Sequence, residues 1–164
     1  MSELLSNKEA ATQAVVDFMT KIESIKKSLV EIDRFSGGGN SGESSLEAVV
    51  NAINLNYRNK AVKVMILITD EPALQNEINA EAVIYSLIEN EFLTFVISPP
   101  LDYFKQMANK NGGKWYQVSA KTDFTDLLEM FEQVALRVSQ TVSNVYKIGG
   151  GSVATYLKIN PPED

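Results

Sequence analysis

The chain contains no cysteine and no histidine. Without cysteine there are no disulfide frameworks, thiolate metal sites, iron–sulfur clusters or thiol nucleophiles. Without histidine the chain loses the most frequent general base and the commonest transition-metal ligand. A surplus of positive charge is also missing. The formal net charge of −6 leaves no cationic face for neutralising a polyanion, so nucleic-acid partners are not expected. No run approaches the ~20 apolar residues that span a bilayer, which argues against membrane insertion. Residues Met1–Glu9 lack the cationic-then-apolar order of a signal peptide, so the expected compartment is cytoplasmic.

What is present is ordinary in amount. The 164 residues are 45% hydrophobic and 22% charged, the make-up of one globular domain. A chain of this length buries enough surface to fold without a metal or a disulfide. Any metal chemistry falls to hard oxygen ligands (Asp, Glu, Ser, Thr, Asn) around Mg²⁺, Mn²⁺ or Ca²⁺.

Three segments read as strands. Val62–Thr69 and Phe92–Ser98 are almost continuously apolar, the pattern of parallel strands covered on both faces; Lys114–Ser119 is shorter and follows Gly112-Gly113. A fourth candidate is Ala14–Met19. Helical spacing is found at Leu46–Leu55 behind the capping sequence Ser44-Ser45-Leu46-Glu47, and at Ala80–Glu91. It also occurs at Leu101–Asn111, over Ile22–Ile32, and from Thr122-Asp123 through Val138. Alternation of this kind predicts an α/β fold: a three-layer, doubly wound, mostly parallel sheet with helices on both faces. Residues 1–148 are assigned to this domain. Residues 149–164 are assigned to a glycine-rich break at Gly149–Gly151 followed by a C-terminal strand or tail, because Ser152–Ile159 alternates.

In such sheets ligands bind beyond the carboxyl ends of the strands. Thr69-Asp70-Glu71-Pro72 follows the most apolar strand, and Phe35–Glu43 is a glycine-rich loop leading into a helix. That loop carries oxygens on Ser36, Asn40, Ser41 and Glu43, and its three consecutive glycines permit close backbone approach. Beside Asp70 it has the chemistry of a divalent-cation site. It lacks the Gly-Lys-Ser/Thr ending of a nucleotide loop, and Glu43 would repel phosphate. Ser44 and Glu47 are also read simply as a helix cap, Asp70 as a turn residue, and Trp115 and Tyr116 as sheet packing.

Laid end to end, these elements resemble a von Willebrand factor type A domain, the I-like family that includes integrin ligand-binding modules. The stretch Ile66–Pro72 is similar to that family's strand ending in Thr-Asp, and Gly37–Ala48 resembles its glycine-rich loop and helix. Phe95–Ser98, Ala108–Tyr116 and Phe124–Leu128 follow its closing order. The resemblance implies a metal-ion-dependent adhesion site holding Mg²⁺ or Mn²⁺. Asp70 matches its third-loop ligand, Glu43 its second-loop ligand with Ser41 as a weaker candidate, and Asn40 a flanking site of integrin β chains. The family's first-loop Asp-x-Ser-x-Ser does not occur in the sequence. A cation here would therefore keep mostly water ligands and bind weakly. The strand that normally lies beside Val62–Thr69 is not found either, which leaves an apolar edge open to pairing.

The function expected is that of a non-enzymatic protein-interaction module with a partial metal site. It would engage a protein partner or self-associate through the incomplete sheet, with loops Glu71–Asn79, Ser98–Tyr103 and Ser119–Thr122 framing the contact face. Two alternatives are a metal-free assembly scaffold and a divalent-cation-dependent phosphoryl-handling enzyme using Asp70, with Lys121 as its cation. No nucleophile–base pair is visible in the sequence, which disfavours catalysis.

Overall fold

The computed structural model describes residues 42–162 except 76 and 120, together with Thr20, Glu23, Ser24 and Lys27, which are helical. The chain divides into two compact units, Met1–Gly37 and Gly38–Asp164. The expected strand Ala14–Met19, most of the expected helix Ile22–Ile32, and Asn40 and Ser41 lie outside the described residues.

The second unit is an α/β structure with a three-stranded parallel sheet of order β1-β2-β3. The strands are β1 (Lys63–Ile68), β2 (Phe92–Ser98) and β3 (Trp115–Gln117). Five described helices accompany them: α1 (Ser45–Ile53), α2 (Ala80–Glu89), α3 (Asp102–Asn109), α4 (Phe124–Gly149) and α5 (Val153–Ile159). The register Lys63↔Phe92 through Ile68↔Ile97 runs the whole length of β1. Among the described residues no helix is long and apolar enough to cross a membrane.

Alternation along β2 feeds two cores, since successive side chains point to opposite faces. Phe92 and Val96 join Leu46, Val49, Val83, Leu87, Phe104 and Met107, so α1, α2 and α3 cover one face. Leu93, Phe95 and Ile97 join Tyr116, Val134, Val145 and Val153, so α4 and α5 cover the other. Every residue of β2 is buried.

The structure corrects three expectations. First, β2, not β1, is the strand covered on both faces: Ile66 is 47% exposed and Ile68 53%. The two strands are equally apolar, and lateral position in the sheet, which composition does not encode, separates them. Second, Ser152–Ile159 is not a strand or tail; Val153–Ile159 form α5 and Ser152 is its N-cap. Val153, Tyr156 and Leu157 stand at i, i+3 and i+4, which satisfies a helix as well as alternation does over so short a stretch. Gly150 at φ 62° ends α4 in the left-handed region, and the Ser152 side chain caps α5 by accepting from the Thr155 N–H. The Glu91 carboxylate adds acceptance from Ser152 Oγ at 3.1 Å and Val153 N at 3.0 Å, pinning the helix start. Third, Ser44 makes no side-chain cap on α1, and Glu47 Oε2 is buried without a hydrogen-bond partner. Ser44 sits at ψ 40° rather than in the extended backbone a cap needs, directly after Glu43 is held in a bridge to Ala73. The capping signal at the last long helix does operate: Asp123 and Asp126 form a reciprocal capping box.

Candidate functional site

The parallel strands bring the segments after Ile68, Ser98 and Gln117 to one edge of the sheet. There the chain entering α1 lies against the chain leaving β1. The Glu43 N–H donates to the Pro72 carbonyl and the Leu74 N–H to the Glu43 carbonyl, both at 2.8 Å, which makes the parallel Glu43↔Ala73 bridge. Gly42 permits this approach. Its φ is +124°, and a Cβ there would stand 3.1 Å from both the Pro72 oxygen and Leu74 Cδ2.

Side chains tie the same two segments together. Thr69, nearly buried at the end of β1, donates from Oγ1 to Glu43 Oε2 at 3.0 Å. The Gly42 N–H donates to Glu71 Oε2 at 3.3 Å, and the Glu71 N–H reaches Thr69 Oγ1 at 3.3 Å. The hydroxyl of Tyr103, the second residue of α3, accepts from the Ala73 N–H at 2.8 Å. Asp70 is exposed between these anchored neighbours.

Of the residues expected at a metal site, Glu43 is thus joined by a hydrogen bond to Thr69, the residue before Asp70, and Asp70 stands free on the crest. Ser41 and Asn40 fall outside the described residues. Among the described residues no group of three or more acidic side chains converges as a metal-ion shell would. The oxygens present, the Glu43 and Asp70 carboxylates and the Thr69 hydroxyl that bonds Glu43, suit a hard cation that keeps much of its water. Thr69 was not singled out from the sequence, and Glu71 and Tyr103 were placed only as ends of loops framing the contact face. The first two flank Asp70 directly and are legible by adjacency; Tyr103 arrives from a distant helix and leaves no local signal.

The aromatic pair Trp115-Tyr116 behaves as sheet packing. Trp115 Nε1 donates to Ser98 Oγ at 3.0 Å, and Tyr116 belongs to the core under α4. Burial raises the Tyr116 phenol above its ordinary pKa, and the nearby Arg137 charge partly offsets this. Comparison of the chain with protein-family models, with curated proteins and with solved structures finds no match.

Proposed function

We propose that the chain is a non-enzymatic protein-interaction module of the von Willebrand factor A type, doubly wound, whose contact face is the crest beyond the carboxyl ends of its strands. Asp70 and Glu43 hold Mg²⁺ or Mn²⁺ weakly there, and a partner carboxylate completes the shell. The observation that carries this reading is the Thr69–Glu43 hydrogen bond, which fixes the glycine-loop carboxylate beside the loop that bears Asp70. Pre-positioned oxygens reduce the ordering cost of capturing a cation. With few protein ligands the expected dissociation constant is on the order of 1 mM. Calorimetric titration with Mg²⁺ and Mn²⁺ tests it: heat of binding in the wild type, lost in Asp70→Ala and reduced in Glu43→Gln. A wild type silent at millimolar metal discards the metal-assisted reading.

A second reading, a metal-free assembly scaffold, has its own support. Among the described residues β1 pairs only with β2, and Ile66 and Ile68 lie half-exposed on the face where Val64 joins the α4 core. An open apolar edge is a template for pairing with another chain. Covering the exposed halves of both isoleucines is worth about 2 kcal/mol. Sedimentation velocity is expected to show concentration-dependent dimers that Ile66→Lys/Ile68→Lys abolishes. A wild type that stays monomeric across the micromolar range removes self-association from the scaffold reading.

A further inference from the structure

At the other end of the sheet from Glu43 and Asp70, the Gly112-Gly113 turn before β3, helix α4 and helix α5 enclose a groove of about 390 Å³. Helix α4 lines it with Arg137, Gln140, Asn144 and Lys147, whose spacing of three, four and three residues places them on one helical face. Tyr156 closes it from α5. A contiguous groove of about 550 Å³ shares Arg137, Tyr156 and both glycines, and adds Lys114.

The charge of this region runs against that of the chain. In a protein of net charge −6, three cations line the joined grooves, and no carboxylate does so among the described residues. Neither Arg137, Lys114 nor Lys147 forms an ion pair with a described acidic residue; the described ion pair is Lys105–Asp102 at 3.6 Å. Arg137 and Lys114 both line the second groove. Lys114 Nζ lies 5.5 Å from the centre of the Tyr116 ring, and the Arg137 charge acts on the Tyr116 hydroxyl. Like charges gathered in a concave site with no described acidic partner repel one another, and an anion seated between them relieves that repulsion.

We propose that this groove is a binding site for a small multivalent oxyanion, a phosphorylated or polycarboxylate molecule. Arg137 supplies a planar fork for two oxygens of one group and Lys147 a point charge. The amides of Gln140 and Asn144 donate to the remaining oxygens, and Lys114 reaches a second anionic group through the adjoining groove. The walls are polar and the volume is that of a small metabolite, which separates the site from the exposed acidic crest at the opposite end of the sheet.

Calorimetry at low salt with two probes, inorganic pyrophosphate and citrate, tests the assignment on the full chain. Binding of pyrophosphate alone assigns a phosphoryl ligand, binding of citrate alone a polycarboxylate, and binding of both the shared oxyanion chemistry. Loss of each charge-assisted hydrogen bond in Arg137→Gln or Lys147→Gln is expected to weaken the bound probe at least about tenfold. Gln140→Glu, which puts a carboxylate in the groove and leaves both cations in place, is expected to abolish binding. All three side chains are exposed, and the near-ultraviolet signal of Trp115 reports that each variant is folded. Neither probe binding at millimolar concentration, or either probe binding the folded variants as tightly as the wild type, overturns the proposal.

Discussion

Gly113→Ala is expected to destabilise the second unit by about 3 kcal/mol or more, the upper range for overpacking a close-packed interior. A Cβ at Gly113 would lie 1.8 Å from the Thr94 carbonyl oxygen and 2.5 Å from its carbon, both backbone atoms of β2. No rotamer change relieves that contact. Either β3 separates from β2, losing the Val96 N–H to Lys114 carbonyl bond of 3.1 Å, or β2 shifts within both cores. Thermal unfolding is expected to show a Tm about 6–12 °C lower. Gly150→Ala is the matched control. Its Cβ meets nothing within 4 Å, so only the strain of φ +62° remains, about 1 kcal/mol. Equal losses at the two positions would show that contact with β2 is not what makes position 113 special.

Phe95→Ala is expected to cost about 3–5 kcal/mol, read as a fall in the urea midpoint at constant slope. Phe95 is fully buried in the middle of the central strand and packs in the cluster that holds Val134 and Val145 of α4. Truncation removes a ring and leaves a cavity in a layer fixed by backbone pairing on both sides, where collapse is limited. Ile66, its cross-strand partner in the register, is 47% exposed, so Ile66→Ala is expected to cost about 1 kcal/mol or less. Comparable losses at the two positions would mean that the face of β1 near Ile66 is covered in solution, which bears directly on the assembly reading above.

These contrasts show which features are legible locally. Continuous apolar runs gave the strands near their observed bounds, because short β-branched and aromatic runs bounded by turn residues suit a packed strand. The 26-residue α4 declared itself through its stripe of apolar residues and its Asp123 cap. The Ser44 cap failed for a reason outside its own window: the bridge of Glu43 to Ala73 set the backbone just ahead of it. At the crest Gly42 and Asp70 were readable as the end of a glycine-rich loop and a strand end. Their union through Thr69 and Glu43 was not, since those side chains are separated by 26 positions and meet only after parallel pairing. The cations of the α4 groove carry no local signal of a site, and only the packing of α5 and the Gly112-Gly113 turn makes that helix face concave.

By itself the sequence determined the α/β character, the identity of the three strands and the restriction to oxygen-ligand and charge chemistry, because composition and periodicity act within a few residues of the chain. Tertiary structure alone decided that β2 is covered on both faces while β1 pairs, among the described residues, with β2 alone, that the segment after Gly151 is a helix, and that an acidic chain gathers three cations at one end of its sheet. Each of those outcomes depends on which distant segment supplies the neighbour, and burial, unlike periodicity, is a property of the neighbour as much as of the residue.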